Sequence, residues 1–164
     1  MTGLSIRKKL MISFGIILML MLLMSANSFY RLNEAKDKIS KIVTEDYPTT
    51  AMGNNLIRDA NASSIDLLNM LVESRPEEID KLRHQIESRT NKINELNVTL
   101  NDTANDEQSQ AQLTKVKALR QQYTDSRGSV LSKVDTSRDA AISEYISTTK
   151  RAEINYIESI NAFI

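Results

Sequence analysis

The sequence predicts an all-α protein: an up-down-up-down antiparallel four-helix bundle preceded by one transmembrane helix. Three observations lead there. Turn formers are scarce, with Gly 4 and Pro 2 in 164 residues, so the elements must be long. Residues 10–30 form one uncharged, mainly apolar run. Beyond it, apolar residues recur on alternating steps of three and four, the spacing of a helical seam.

The apolar run follows Arg7, Lys8 and Lys9. As a helix it is about 31 Å long, against a hydrocarbon core of about 30 Å. Phe29 and Tyr30 fall where an interfacial aromatic belt lies. The basic cluster on the short side assigns residues 1–9 to the cytoplasm and the chain after Arg31 to the outside. A cleaved signal peptide is the competing reading, with Ser25, Ala26, Asn27 and Ser28 near the cut. Met24 is a poor residue just upstream of such a cut, and the helix-forming pattern runs on through Arg31, Leu32, Asn33, Glu34, Ala35 and Lys36. A retained anchor is expected.

Punctuation divides the rest into helices of about 49–74, 75–101, 106–134 and 136–164. Ser74, Pro76 and Glu77 suggest a capping box with proline in the first turn. The polar stretch 101–106 reads as a second turn, and Asp135, Thr136 and Ser137 offer N-caps for the last helix. The seams are Val43, Ile57, Ala60, Ser64, Leu67 and Leu71, then Ile79, Leu82, Ile86, Ile93, Leu96 and Leu100. Next come Leu113, Val116, Arg120, Tyr123, Arg127, Val130 and Val134. The last is Ile142, Tyr145, Thr149, Ala152, Tyr156 and Phe163, with Ile146 and Ile160 beside it. Short turns make neighbours antiparallel. Pro48 is expected to kink or break the first helix, since it lacks a donor and crowds the preceding turn. Residues 31–47 then form a helical stalk of roughly 25 Å, and 48–164 form the bundle. Both bundle ends lie level with its base, so a second transmembrane span and a signalling domain are expected beyond this chain.

Composition excludes several functions. Net charge is +0, with acids and bases equally represented, which argues against nucleic-acid binding. With no cysteine, neither a disulfide framework nor a thiolate metal site is available. His84, the only histidine, reads as an exposed helix residue. There is no glycine-rich phosphate loop, nucleophile elbow or paired acid site. No enzyme, cofactor or metal is expected.

Polar residues at core positions are the strongest functional signal. Arg120, Tyr123 and Arg127 occupy consecutive seam positions, and Arg89 interrupts another seam beside Thr90. Counting from the turns sets Arg89 and Thr90 level with Arg120, with Asn61, Ser64, Thr148 and Thr149 near the same layer. A buried guanidinium needs a counter-charge, and two of them can each fork a carboxylate. Spacing alone leaves open the reading in which these arginines lean outward and pair with Glu87, Asp125, Glu144 or Asp139. Gly53, Ala60, Ala62, Ser63 and Ser64 make one helix slender, which suits close contact with a second copy or within the chain.

Ile6, Arg7, Lys8, Lys9 and Leu10 leading into an apolar run with Phe14 and Gly15, then Tyr30, Arg31, Leu32, Asn33 and Glu34, then Tyr47 and Pro48, resemble the N-terminal half of a bacterial methyl-accepting chemotaxis protein. The resemblance covers essentially the whole chain and is one of pattern. It implies a periplasmic four-helix-bundle ligand-binding domain on an inner-membrane homodimer. It also implies output to a cytoplasmic histidine kinase and its coupling protein through later parts of the receptor. It favours a ligand at Arg120, Tyr123, Arg127, Thr90 and Arg89, with a small organic acid, a di- or tricarboxylate such as malate or citrate, as the expected ligand. Arg58 is a second candidate, because arginines on the first helix of the enteric amino-acid receptors meet ligand across the dimer. The alternatives are a sensor-kinase ectodomain and a membrane-anchored structural or adaptor protein.

Overall fold

The computed structural model describes residues 6–164; of the N-terminal stretch 1–9, residues 1–5 lie outside the described residues. The chain forms two units, residues 1–44 and 45–164.

The described part of the first unit is dominated by α1 (Ile6–Lys41). Its apolar stretch buries nothing: Leu10, Phe14, Leu22, Phe29 and Tyr30 are all exposed. A row of exposed Leu, Ile, Met and Phe is stable in hydrocarbon and not in water. The helix is long and apolar enough to cross a membrane. Its polar end carries an exposed Lys38–Glu34 pair at 2.7 Å.

The second unit is a four-helix bundle of α2 (Tyr47–Val72), α3 (Pro76–Asn101), α4 (Glu107–Val134) and a final rod made of α5 (Arg138–Glu144), a π-helical turn (Tyr145–Thr149) and α6 (Lys150–Phe163). No strand occurs among the described residues. α2 packs closely on α3, α4 on the final rod, and α2 on α6, while α3 and α4 stand furthest apart of the sequential neighbours.

The turns are held locally. Asp106 caps α4 by accepting the Ser109 N–H at 2.8 Å, and Ser137 caps α5. The expected Ser74–Glu77 capping box does not form. Arg75 holds the N-cap position of α3 without a side-chain cap bond. Glu73 does the work instead: Oε1 accepts the backbone N–H of Ser74 and of Arg75, and Oε2 accepts Arg75 Nη2 at 2.9 Å. These bonds to the charged form hold its carboxyl at about 2, the Arg75 guanidinium contributing most. Pro48 does not break the helix; it lies in the first turn of α2 directly after a π-helical turn (Ile42–Asp46), and the backbone at Asp46 stays helical.

The core divides in two. Leu56, Ala60, Ile93, Leu100, Leu113, Val116, Tyr156 and Ile160 form one apolar cluster; Leu67, Met70, Leu71, Ile86, Val130, Val134 and Ala141 form the other. Sequence periodicity misses Leu56 and Met70, both 0% exposed, and wrongly includes Val43, which is exposed. The small residues of α2 serve packing inside the chain. Ala60, Ser63 and Ser64 are buried in the bundle, and a Cβ on Gly53 would lie 2.2 Å from Ile164 Cγ2. The Ala60 and Ser64 face is therefore not available to a second copy.

Leu67→Ala should lower bundle stability by about 2–5 kcal/mol, because neighbouring helices cannot collapse fully into the void. Denaturant unfolding of the detergent-solubilised chain followed by circular dichroism measures it. A loss below about 1 kcal/mol would contradict the packing described.

A polar layer between two apolar clusters

Arg127 sits between the two clusters, only 6% exposed. Its position follows from the regular three- and four-residue seam of α4, which turns the side chain inward. Nη1 donates to Ser63 Oγ at 2.8 Å and Nη2 to Thr90 Oγ1 at 2.8 Å. The guanidinium carbon lies 5.4 Å from the centre of the Tyr123 ring. Nε has no partner. Among the described residues, no carboxylate lies within 4 Å of the Arg127 or Arg120 guanidinium, so neither has the acidic partner that outward-leaning arginines would find. An arginine stays charged at any physiological pH, so this burial carries a desolvation penalty of several kcal/mol.

Four more buried polar atoms lack partners: Tyr123 Oη, Thr149 Oγ1, Tyr156 Oη and Asn97 Oδ1. The Tyr123 and Tyr156 rings stack at 6.0 Å and 19°. Burial pushes both phenols up, opposed at Tyr123 by Arg127 and at Tyr156 by Arg120. Glu153, also buried, accepts Ser64 Oγ at 2.5 Å. Burial raises its carboxyl and the Ser64 bond opposes the rise.

The residues singled out from sequence separate into four groups. Thr90, Tyr123 and Arg127 come together, with Ser64 beside Tyr123, while Thr149 is buried on the π-helical turn of the last rod. Arg89 turns to α2, donating to Asp66 at 3.0 Å with Asp59 at 3.8 Å. Arg120 is half-buried and bonds Asn94 Oδ1 in a groove between α3 and α4. Arg58, Asn61 and Thr148 are exposed. The predicted level of Thr90 with Arg120 is displaced: Thr90 meets Arg127, two turns further along α4. Side chains lean toward their own helix N-terminus, so the long arginines of α4 reach a level nearer the α3–α4 turn than their Cα atoms do.

Ser63, Glu153, Asp59, Asp66 and Asn97 were not singled out as site residues by the sequence pattern. Glu153 has a specific reason. Ala141, Tyr145, Thr149 and Glu153, all buried, are four residues apart each time. Twelve residues make about 3.3 turns of α-helix, which would swing Glu153 off the seam. The π-helical turn, with its longer i→i+5 bonds, absorbs the excess. The run of four-residue steps was the available signal.

The fold thus provides a helix long and apolar enough to cross a membrane, and a four-helix bundle with a charged, underpaired core layer. The family pattern described as a four helix bundle sensory module for signal transduction matches residues 3–164, and the chain belongs to that family, the module of methyl-accepting chemotaxis proteins. No curated protein and no solved structure matches it.

Arg127→Met should leave the ligand-free chain as stable or stabilise it by about 1–4 kcal/mol, since an apolar chain of similar length replaces a buried charge. A sharp drop in the melting point would identify Arg127 as a structural tie. Glu153→Gln tests the other charge. Because burial raises the folded carboxyl, the folded chain binds the proton more tightly than the unfolded one. The stability this contributes is present below the ordinary value of 4.5 and is lost as pH rises through the raised folded value. Glu153→Gln should therefore melt higher than the parent at pH 7, with the gap closing toward pH 4. An equal gap at both pH values would exclude a protonation effect.

Proposed function

We propose that the chain is the sensory region of a transmembrane chemoreceptor that binds a small organic acid, a di- or tricarboxylate of the malate or citrate kind, at the Arg127 layer. The observation that carries this reading is a buried guanidinium with no carboxylate within 4 Å among the described residues. A ligand carboxylate supplies the missing charge at Nε, and the Tyr123 hydroxyl, on the ring beside the guanidinium, is a donor for its remaining oxygens. The layer is filled by its own side chains, so the ligand enters by parting α3 from α4, the neighbours that stand furthest apart. Arg120, beside that opening, takes a second acid group. Arg89 fixes α3 to α2 through Asp66 and Asp59 and keeps those acids away from the ligand.

In this reading α1 anchors the chain in the inner membrane with its basic end in the cytoplasm and the bundle in the periplasm. The receptor is a homodimer that controls a histidine kinase through its coupling protein. Self-association through the first bundle helix then uses its outward stripe. Arg58, Asn61, Ile65, Leu68 and Val72 are exposed and spaced as a seam, with Val72 at 79% exposure. Tethering two anchors in one membrane raises the effective concentration of a weak contact.

Calorimetric titration of the purified chain with malate and citrate tests the ligand. Arg127→Ala should weaken binding by about 2–5 kcal/mol, enough to remove a micromolar signal. Tyr123→Phe should cost about 0.5–1.5 kcal/mol. Unchanged affinity in Arg127→Ala would move the ligand elsewhere, Arg58 on the outward stripe being the next position to test. A reporter fused after Tyr30 should read outside the cytoplasm; a mature chain starting near Asn27 would replace the anchor with a signal peptide.

A further inference from the structure

The bundle core holds a second charge that is left without an ion pair. Glu153 on α6 is 9% exposed, and Arg127 on the neighbouring α4 is 6% exposed. Opposite charges on packed helices attract strongly away from water. Even so, no lysine or arginine nitrogen lies within 4 Å of the Glu153 carboxylate among the described residues. Two adjacent serines of α2 take the two charges separately. Ser63 Oγ accepts Arg127 Nη1 at 2.8 Å, and Ser64 Oγ donates to Glu153 Oε2 at 2.5 Å. Neighbouring residues of a helix diverge by about 100°, so the serines hold the two groups in different directions.

Tyr123 stands between them. Its ring centre lies 5.4 Å from the guanidinium carbon. Its phenol is raised mainly by burial, lowered by Arg127 and raised again by Glu153, with the Ser64 hydroxyl beside it. Guanidinium, phenol, serine hydroxyl and carboxylate thus form one polar chain through the core. The groups facing Glu153 are few. Its own helix brings Lys150, three residues earlier; α4 brings Tyr123 and, past that ring, Arg127; α2 brings the neutral Ser64. None is a cation in contact with the carboxylate. Burial already raises the Glu153 carboxyl, opposed by the Ser64 bond and then by Lys150.

A ligand acid group at Arg127 Nε, with Tyr123 Oη as donor, brings a second carboxylate to the same chain. Two carboxylates in one buried layer disfavour each other's charge, and one of them takes a proton. The ligand acid bonds the guanidinium and stays charged. Glu153, held by a hydroxyl alone, takes the proton.

On the ligand reading given above, we propose that Glu153 couples acid binding at the Arg127 layer to proton uptake: the bundle binds its dicarboxylate together with one proton, which settles on Glu153, so the acid is sensed at lower concentration in acidic surroundings. By reciprocity, the ligand raises the proton affinity of Glu153 by the same factor as the proton raises ligand affinity. The carboxyl therefore titrates higher with ligand bound than without it. Affinity is greatest below the ligand-free value and falls, by up to about tenfold per pH unit, as pH rises from there to the ligand-bound value.

Calorimetric titration of the full chain in lipid nanodiscs with malate, at pH 7 in two buffers of different ionisation heat, counts the protons. About one proton should be taken up per malate, and affinity should be at least about fivefold greater at pH 6 than at pH 8. Glu153→Gln, neutral and of the same shape, should take up none, bind malate equally at both pH values and bind it more tightly than the parent at pH 8. The parent titration decides even if the variant folds poorly. Malate binding that Arg127→Ala removes, but that takes up less than about 0.2 proton, would overturn the coupling and leave the ligand site standing. Undiminished uptake in Glu153→Gln would do the same by placing the proton elsewhere. Absence of saturable malate binding would overturn the ligand reading and the coupling together.

Discussion

A guanidinium held out of water without a carboxylate beside it constrains everything else in this bundle. Arg127 divides the core, because apolar side chains cannot approach a charge that must keep its hydrogen bonds. The helices facing it must offer oxygen at that level, and they do: Ser63 from α2 and Thr90 from α3. Thr90 also returns its own proton to Ile86 O at 2.7 Å, so it presents a lone pair to the arginine. The Tyr123 ring covers the third side of the cation with a face of negative character. Serine, threonine and tyrosine at core positions are what a bundle needs if the charge is to be tolerated while its strongest bond is left unmade.

The treatment of the other arginine in the same region is the contrast that gives this weight. Arg89 receives two buried aspartates from α2, and the result is a tie between neighbouring helices. One arginine is satisfied inside the chain and another, bonded to the Thr90 that follows it in sequence, is not. Supplying a third acid would have been a single substitution. Paired charges near the layer show that the fold can accommodate them, so the unpaired one is a property of the site.

How far the sequence told this in advance depended on the helix. In α4 every predicted seam residue from Leu113 to Val134 is buried or half-buried, because large apolar and polar residues alternate there on an unbroken rhythm. In α2 the inward face is Gly53, Leu56, Ala60, Ser63, Ser64, Leu67 and Met70, and half of it is too small to register as a hydrophobic seam. An exposed apolar stripe on the same helix, Ile65, Leu68 and Val72, competed with it. The grouping of Arg127 with Thr90 was legible as chemistry and misplaced as geometry, since counting Cα positions ignores the length and lean of an arginine. Asp59 and Asp66 were missed as partners because acids were sought on α3 and α4 and at the start of the last helix, where exposed surface puts most of them.

The π-helical turn at Tyr145–Thr149 also has a bearing on how this chain should be compared with others. It acts as a phase shifter in the last rod. Counted as one uninterrupted heptad series from Ala141, the inward positions of α6 come out wrong by about one residue. The faces of Tyr156 and Ile160 would then be assigned to solvent, and the aromatic stack with Tyr123 would vanish from the reckoning. An alignment or a chimaera that joins this helix to another bundle should therefore set its frame from Thr149 onward. A junction placed upstream carries the offset with it, while one placed downstream discards it and rotates the partner's inner face away from the core.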